Sequence, residues 1–222
     1  MRRALIIDVE TTGLDPAKDR VVEVGCILFD LVHAAPVESF AALLAGEGNA
    51  AVEVNRIPEA LLTDARAPGN AWQIVGGFAK RADVFLAHRA DFDRSFVPPE
   101  LANAKPWACT KFHVEWPHGK TGDHLVHLAL AHGVGVVHAH RALTDCDMIA
   151  RLLTRVHEMG HSLQTLIARA LRPRVKVQAI VSYDDREKAK ASGFQWDPAA
   201  RGWYREVAQD EAQSFPFPTR PA

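Results

Sequence analysis

The feature that most constrains the fold is an apolar run near the N-terminus, Ala4–Asp15. Its branched residues are typical of a buried strand. In a strand, residues i and i+2 point to the same side, so Asp8 and Glu10 share a face while Val9 points to the other. Two carboxylates this close on a buried element cost free energy unless a cation lies between them. The run therefore predicts a strand that ends in a site for a hard metal ion.

Composition limits the class of protein. The 222 residues have a formal net charge of −1 and a hydrophobic fraction of 48%, so no overall basic field attracts nucleic acid and any such binding must be local. The cysteines, Cys26, Cys109 and Cys146, are far apart, which fits small buried residues in a reducing compartment. No signal peptide is visible, and no apolar run approaches the ~20 residues of a membrane span. We therefore expect a soluble, cytoplasmic protein without a membrane partner.

The hydrophobic pattern predicts an α/β protein that opens as an antiparallel meander. The strands that follow the acidic run are predicted at Val21–Asp30, Pro36–Leu44, Val84–Ala87 and Trp107–Thr110. Residues 45–70 are rich in Gly, Asn and Pro and are expected to be irregular, apart from a helical turn at Pro58–Leu62. The predicted helices are Ala71–Lys80, Ala90–Phe96, Asp123–His132, Arg141–Glu158 and Leu163–Leu171. This order favours a mixed sheet flanked by helices.

A second, smaller region follows Arg172-Pro173-Arg174, so residues 1–171 are predicted to form the first domain. Residues 174–207 predict a small α+β module. Its elements are a strand at Val175–Tyr183, a helix at Asp184–Ser192 and a hairpin within Phe194–Val207. The proline-rich tail, residues 208–222, is expected to be disordered.

Further acids occur where loops or strands lead into predicted helices. Asp91 and Asp93 open the helix after Val84–Ala87, and either could be its N-cap, although the neighbouring phenylalanine favours Asp93 as a ligand. His140 precedes Asp145 by five residues, a spacing that does not return to the same helical face. His140 is therefore expected just before a helix and Asp145 within it, so that both reach one cleft.

Together these residues resemble the DEDDh group of 3′→5′ exonucleases, which includes the proofreading subunits of bacterial replicative polymerases. The first motif of that family, D-x-E-T-T-G, is matched by Asp8–Gly13. The second, H-N-x-x-F-D, is matched by His88, Phe92 and Asp93, with Arg89 where asparagine is usual. The third motif, H-x-x-x-x-D, is matched by the histidine at 140 and the aspartate at 145. The resemblance covers residues 4–170 and implies a ribonuclease-H-like, mixed five-stranded sheet flanked by helices.

The resemblance also implies roles for the matching residues. The ligands of two Mg²⁺ or Mn²⁺ ions, about 4 Å apart, would be Asp8, Glu10, Asp93 and Asp145. His140, which has rivals in His132 and His138, would be the general base toward the attacking water. The seat of the 3′-terminal nucleotide would be formed by Thr11, Thr12, Gly13 and Leu14. His88 would orient the strand end, and Arg89 would either reach a substrate phosphate or point to solvent.

The predicted function is a metal-dependent 3′→5′ exonuclease that releases nucleoside 5′-monophosphates from single-stranded 3′ ends. DNA is favoured over RNA, and a DNA polymerase is a candidate partner in proofreading or repair. An exoribonuclease of the same superfamily is the alternative, because the same chemistry serves both sugars. A catalytically silent binding module is disfavoured, because all five chemical residues are present.

The C-terminal region resembles a small bacterial module of the form A-K-x-x-G-x-x-W-D-x-x-x-x-x-W-Y, which occurs attached to nucleic-acid enzymes. Its basic residues would suit a single strand, with aromatic rings stacking on bases. The residues concerned are Lys188, Lys190, Arg201 and Arg205, beside Trp196, Trp203 and Tyr204. The alternative is that the tryptophans form the core of the module. We favour the core for the tryptophans and keep nucleic-acid contact as a hypothesis for the basic residues.

Overall fold

The computed structural model of the protein describes residues 1–118, 124–136 and 141–222. These residues form two compact units, Met1–Leu171 and Arg172–Ala222, each with a sheet of its own. The predicted α/β class, with a mixed five-stranded sheet and a second small α+β region, is confirmed. Within the described ranges, every helix falls short of the length or the apolar character that a membrane span demands.

The sheet of the first unit places the acidic strand at its centre. Its strands are β1 Arg3–Thr11, β2 Val21–Asp30, β3 Ala35–Leu43, β4 Val84–Ala87 and β5 Trp107–Cys109. The order is β3-β2-β1-β4-β5. Strand β2 pairs antiparallel with β1 and β3, whereas β4 pairs parallel with β1 and β5. The carboxyl ends of β1, β4 and β5 therefore lie at one edge of the sheet, where loops can bring functional residues together.

Helices cover both faces of this sheet. They are α1 Val52–Asn55, α2 Ala60–Thr63, α3 Pro68–Arg81, α4 Ala90–Phe96, α5 Pro99–Ala102, α6 Leu125–Ala131, α7 Ala142–Glu158 and α8 Leu163–Ala170. Because side chains alternate along β1, Ala4 and Ile6 pack with α6, α7 and α8, while Leu5 and Ile7 pack with α3 and α4. Asp8 and Glu10 continue the row of Ala4 and Ile6 and therefore lie on the α7 side.

Two short helices differ from the prediction. Helix α1 lies in the region expected to be irregular, and Arg56 closes it in the left-handed conformation (φ 58°), donating its N–H to the carbonyl of Val52. Helix α4 ends at Phe96 as predicted, and a further short helix, α5, follows it. Pro99 begins α5, because a proline at the first helical position lacks only an N–H that would have had no partner inside the helix.

The second unit has a four-stranded sheet in the order β7-β8-β6-β9. Its elements are β6 Arg174–Ala179, α9 Arg186–Ala191, β7 Gln195–Asp197, β8 Gly202–Ala208 and β9 Thr219–Pro221. Strand β8 pairs antiparallel with β6 and β7, and β9 pairs antiparallel with β6. One face carries a small core of Val177, Ala179, Ala189, Phe194 and Val207.

The tail differs from the disordered segment that the sequence predicts. A single 3₁₀ turn, Gln209–Glu211, follows β8, and the chain then returns to form β9. Two tail rings pack on Phe194, with Phe215 and Phe217 at 5.0 and 5.4 Å between ring centroids. The high proline content of the tail predicted disorder. However, β9 is an edge strand, where a proline costs little free energy because the N–H groups on the outer side pair with no other strand.

The first turn of α7 packs on the sheet at Gly25 of β2. A Cβ atom at this position would lie 2.4 Å from the nitrogen of Leu143 and 2.5 Å from the carbonyl carbon of Ala142. Both are backbone atoms, so no side-chain rotation could relieve the overlap. Gly25 is also paired in register with Asp8 on β1. The absence of a side chain here therefore lets the start of α7, which carries Asp145, come close to the acidic end of β1.

We expect Gly25→Ala to destabilise the protein by about 1–3 kcal/mol, because the added methyl group must push α7 away from the sheet. The matched control is Gly77→Ala, on an exposed turn of α3 where a Cβ would meet no atom within 4 Å. That change should stabilise α3 by about 0.5–1 kcal/mol. Chemical denaturation of both variants measures the difference. Equal stability of the two variants would contradict the proposed close packing.

Candidate active site

Three carboxylates converge at the carboxyl end of β1. Asp8 and Glu10 extend from the strand, and Asp145 extends from the first turn of α7. Oxygen atoms of these three residues all lie within 4.8 Å of one another. Among the residues that the structure describes, this is the group of acidic, histidine or cysteine side chains whose geometry could hold a metal ion.

Asp93 approaches the same strand from α4. It is buried, and its Oδ1 accepts a hydrogen bond of 3.2 Å from the backbone N–H of Val9. Strand β4 pairs with β1 only as far as Ile6. Beyond that point, the Asp93 carboxylate accepts the hydrogen bond from the Val9 N–H that a carbonyl of a longer β4 would have accepted. The alternative that Asp91 or Asp93 caps α4 is wrong, because Arg89 occupies the N-cap position and Asp91 is exposed to solvent.

The electrostatics of this cluster are unfavourable for four ionised carboxylates without a cation. Burial raises the pKa of Asp8 well above its usual range, and the charges of Asp93 and Asp145 raise it further. Burial also raises the pKa of Asp93. For Glu10, burial followed by the charges of Asp145 and Glu23 raises the pKa to about 7, although Arg141 opposes the shift. A divalent cation would reverse these effects, so the donor set fits hard, oxygen-ligated metal ions.

An ion pair between the buried carboxylate of Glu23 and the partly exposed guanidinium of Arg141 fixes the start of α7. Glu23 of β2 lies opposite Glu10 in the strand register. Its carboxylate accepts hydrogen bonds of 2.7 and 2.9 Å from Nη2 and Nε of Arg141 and one of 3.0 Å from the N–H of Ala142. Glu23 thus satisfies a free backbone donor at the helix N-terminus and keeps Arg141 beside Glu10. The orientation of Asp145 depends on this arrangement.

The predicted general base, His140, lies outside the described residues, as does its rival His138. Arg141, which follows His140 directly, begins the described part of this segment. The other rival, His132, is buried, and its Nδ1 donates a hydrogen bond of 2.9 Å to the carbonyl oxygen of Leu128. Its ring also packs against the edge of Trp116 at 5.8 Å. These contacts indicate that His132 has a structural role in the core.

A cavity of about 770 Å³ opens on the carboxylates. Thr11, Gly13 and Leu14 line one side of it, and Leu14 is 77% exposed. Asp19 holds this turn, accepting hydrogen bonds from the hydroxyl of Thr12 and the N–H of Asp15. A Cβ on Gly13 would lie 2.4 Å from Asp19 Oδ2, so a larger residue at that position would displace the carboxylate that holds the turn. Sequence reasoning missed the role of Asp19.

A further part of the cavity lining was also missed, because it belongs to helix α1, which the sequence did not predict. Ala51, Val54 and Asn55 line the cavity there. The buried amide of Asn55 donates to the carbonyl of Thr11 at 3.2 Å, and its oxygen accepts from Asn49 Nδ2 at 2.9 Å. This asparagine pair ties α1 to the end of β1. The sequence signal for this contact was the presence of Asn49 and Asn55 in a segment that is otherwise typical of a loop.

The second motif supplies residues at the ends of β4 and β5. His88 Nδ1 hydrogen-bonds with the hydroxyl of Thr110 at 3.1 Å, linking the two strand ends. Arg89 adopts the left-handed conformation (φ 85°), with its guanidinium 5.6 Å from the ring centroid of Phe92. Both lie on the cavity wall, together with Lys111, which the sequence had not indicated. The lining of the cavity therefore combines carboxylates with cationic side chains.

Known proteins with similar sequences or folds act on nucleic acids. Over 160 residues, the sequence is 29% identical to the DNA polymerase III subunit epsilon of Treponema pallidum (strain Nichols), covering 66% of this chain and 73% of that protein. A solved complex of exonuclease X with 5′ overhanging duplex DNA matches with a TM-score of 0.59 and 26% identity, covering 75% of this chain and 99% of that chain.

Two further structures share the fold at lower identity. Exonuclease I matches with a TM-score of 0.62 and 16% identity, over 81% of this chain and 48% of its own. A 3′-exonuclease solved for its recognition of the histone mRNA stem-loop matches with a TM-score of 0.59 and 14% identity, over 100% and 97% of the two chains. The ribonuclease-H-like exonuclease fold that the sequence predicts is confirmed.

Family profiles match both parts of the chain. The profile of a domain of unknown function, DUF8626, matches residues 175–222. The profile of the exonuclease family RNase_T matches residues 5–153, which span all four carboxylates of the cluster. The chain therefore belongs to the exonuclease family RNase_T and is a 3′→5′ exonuclease.

Proposed function

We propose that this exonuclease removes nucleotides one at a time from the 3′ end of single-stranded DNA and releases nucleoside 5′-monophosphates. The observation that carries the proposal is the convergence of Asp8, Glu10 and Asp145 within 4.8 Å, with Asp93 anchored beside them. Mutual repulsion makes this arrangement unfavourable in the absence of cations. Phosphodiester hydrolysis is a reaction that such a cluster of metal ligands suits.

In this proposal, Asp8, Glu10, Asp93 and Asp145 hold two divalent cations, Mg²⁺ or Mn²⁺. When bound, such cations lower the pKa of an attacking water and stabilise the leaving oxygen. The protein contributes the placement of the carboxylates. Strand β1 fixes two of them by alternation, α4 fixes the third through the bond to the Val9 N–H, and the Glu23–Arg141 pair fixes the fourth.

The 3′-terminal nucleotide would lie between the turn at Thr11–Leu14 and α1. Leu14 and Val54 are apolar side chains, 77% and 59% exposed, on the wall of the cavity. Such side chains gain by covering a nucleobase, because the contact removes apolar surface from water. The backbone of Thr12 and Gly13 would face the sugar. Asn55 supports this seat by holding the Thr11 carbonyl.

Cationic residues on the cavity wall would bind the phosphates that precede the 3′ nucleotide. Arg89 and Lys111 both line the cavity. A positive-φ conformation at a residue other than glycine costs about 1 kcal/mol, which is consistent with a position held for function. We therefore assign Arg89 to substrate phosphate rather than to bulk solvent, with His88 orienting the strand end beneath it.

We also propose that the two units of the chain are distinct functional domains. Residues 1–171 would be the exonuclease domain, and the separate compact unit and separate family match of the C-terminal region support a distinct module there. A DNA polymerase is a candidate partner, because a relative is a polymerase III subunit. The involvement of such a partner in proofreading or repair stays a prediction.

A 5′-labelled strand of about 20 nucleotides, prepared as DNA and as RNA, tests the proposed function. We expect stepwise shortening from the 3′ end that requires Mg²⁺ and stops in EDTA, with DNA degraded faster. Asp93→Asn should lower the rate more than about 100-fold, because loss of an outer partner of a metal ligand alone costs 10- to 100-fold. Asp91→Asn, two residues away and exposed, should stay within about twofold of wild type.

Several outcomes would contradict the proposal. Unchanged cleavage by Asp93→Asn, in a preparation free of other nucleases, would exclude Asp93 as a ligand. Faster degradation of the RNA strand would favour an exoribonuclease. Shortening from the 5′ end would remove the proposed polarity.

The pH dependence of metal binding follows from the raised pKa of Glu10, about 7. Below that pH the carboxyl holds a proton that a cation must displace, so the Kd for Mn²⁺ should tighten about tenfold between about pH 6 and pH 8 from this group alone. In EDTA, the unfolding temperature should fall as pH rises from about 4.5, the ordinary pKa of a glutamate carboxyl, to about 7 and then level off, because the folded state favours protonated Glu10 and loses this advantage as pH rises through 7.

Calorimetry with Mn²⁺ and thermal unfolding in EDTA measure the two effects. Glu10→Gln is the control for the second effect, because it removes the titrating group and should reduce the pH dependence of the unfolding temperature near neutrality. A Kd for Mn²⁺ that stays constant between about pH 6 and pH 8 would contradict the expected proton displacement.

His140 is proposed as the general base that takes the proton of the attacking water. His140→Ala should lower kcat by about 100-fold or more, the usual contribution of such a group, while KM changes little. His138→Ala provides the matched control and should stay near wild type. Steady-state kinetics on single-stranded DNA separate the two constants. A parallel loss of kcat and substrate affinity in His140→Ala would count against the role of a base.

A further inference from the structure

The sheet of the second unit has one covered face and one face rich in polar groups. Side chains alternate along β6, so Val177 and Ala179 join the core with Ala189 of α9, while Lys176 and Gln178 project from the other side. Strands β7, β8 and β9 contribute to this second face as well. It lies on the opposite side of the sheet from the small core.

A row of side chains crosses this second face from edge to edge. Gln195 of β7 is paired with Tyr204 of β8, Tyr204 with Gln178 of β6, and Gln178 with Arg220 of β9. Lys176 lies beside the row, with its ammonium 4.8 Å from the ring centroid of Tyr204. We refer to these five residues as the open face. Three of them, Gln195, Arg220 and Lys176, are exposed to solvent.

Gly202 explains how the aromatic ring is held on this surface. A Cβ atom on Gly202 would lie 2.8 Å from Cε2 of Tyr204 and 2.6 Å from Nε2 of Gln178. The ring and the amide therefore occupy the space above the strand backbone that any larger residue would fill. The absence of a side chain at Gly202 therefore leaves room for the Tyr204 ring to lie close to the sheet at the centre of the row.

Positive charge exceeds negative charge on this side of the sheet, where Lys176 and Arg220 share the surface with one carboxylate, Glu206, which is paired with Lys176 in the strand register and lies 3.8 Å from Nε of Arg174. The second unit has nine basic and seven acidic residues. Five of the basic residues have carboxylate partners: Arg172 with Asp210 and Glu211, Arg174 with Glu206, Arg186 with Glu187, Lys188 with Asp185, and Lys190 with Glu187. Lys176 and Arg220 instead contact the ring of Tyr204 and the amide oxygen of Gln178, and no carboxylate of the described chain lies within 4.0 Å of either cation.

We propose that the open face binds single-stranded nucleic acid at a surface separate from the exonuclease site. Lys176 and Arg220 would contact phosphates, and the ring of Tyr204 would stack on a base. The amides of Gln178 and Gln195 can donate to and accept from base edges. Cations, a ring and amides in one row match the chemistry of a nucleic-acid strand, which is also the substrate class of this enzyme.

This assignment changes which residues of the module bind nucleic acid. Lys188 and Lys190 lie on α9, and each has a carboxylate partner. Arg205 donates to the carbonyl of Ser192, and its guanidinium carbon lies 5.7 Å from the ring centroid of Phe215, so it is held within the module. Trp203 packs against the small core and contacts Trp196 edge-on at 5.7 Å. A core position therefore fits Trp203, whereas Trp196 is 50% exposed, and the cations of the open face lie on the other side of the sheet.

Binding of labelled oligonucleotides to the full-length protein tests this surface. Fluorescence anisotropy with single strands of about 20 nucleotides, one DNA and one RNA, is measured in EDTA, so that neither strand is degraded. We expect the double variant Lys176→Glu, Arg220→Glu to bind at least about tenfold more weakly, with a salt slope lower by about 1.4, which corresponds to two phosphates. Tyr204→Leu should bind about fivefold more weakly or worse.

The matched control is Lys188→Glu, Lys190→Glu, which changes the net charge of the same module by the same amount. This variant should bind within about twofold of wild type if the surface is specific. Equal weakening by both double variants, or no binding by the wild type in EDTA, would overturn the proposal. The milder pair Lys176→Gln, Arg220→Gln serves if the glutamate variant unfolds. The DNA and RNA arms show which sugar the surface accepts.

The result of this binding experiment does not depend on the proposed catalytic chemistry. Cleavage of a trinucleotide, which is too short to need a second surface, should be unchanged in the open-face variants. Loss of cleavage together with binding would indicate a general folding defect and would contradict a separate surface. Thermal unfolding of each variant provides the independent measure of folding.

Discussion

The contact between α7 and the sheet at Gly25 is the constraint on which the active site depends. The backbone of Ala142 and Leu143 lies where a side chain of residue 25 would stand. Glu23, two residues earlier on the same strand and on the same face, binds Arg141 and the Ala142 N–H. Together these contacts set the height and the rotation of the first helical turn, and Asp145 is placed against Asp8 and Glu10 as a result.

The carboxylate cluster stores unfavourable electrostatic energy in the metal-free protein. Burial and like charges raise the pKa values of Asp8, Asp93 and Glu10. The packed cores on both faces of the sheet offset this cost, because β1 is buried on each side along its first half. Cations that bind the folded state alone would add stability by mass action. Cation binding and the stability of the folded state are therefore linked at the carboxyl end of β1.

In our two proposals, the two units would contact nucleic acid through different chemical groups. The exonuclease cavity is lined by carboxylates together with Arg89 and Lys111, so in our proposal its affinity for phosphate would depend on bound cations. The open face of the second unit has cations of its own beside Tyr204. With a net charge of −1, the chain would bind a polyanion through these local groups rather than through an overall field.

Much of the first unit follows from the sequence. Alternation along the acidic run placed Asp8 and Glu10 on one face, and the branched apolar runs located strands such as Val21–Asp30 and Val84–Ala87 at their observed bounds. The amphipathic spacing located α7 to within one residue at its start. These features are local, because the period of a strand or helix is set by the backbone and is visible in the order of residues.

Other features depend on contacts between residues that are distant in the chain. Asp93 accepts from Val9, and Glu23 binds Arg141 across 118 positions, so neither partner can be found from local spacing. Helix α1, the tail strand β9 and the open face likewise exist because other segments supply their hydrogen bonds and packing. The sequence by itself determined the two faces of each strand and the chemical character of the motifs. The tertiary structure decided which of those residues meet, because close approach depends on the backbone paths of several elements at once.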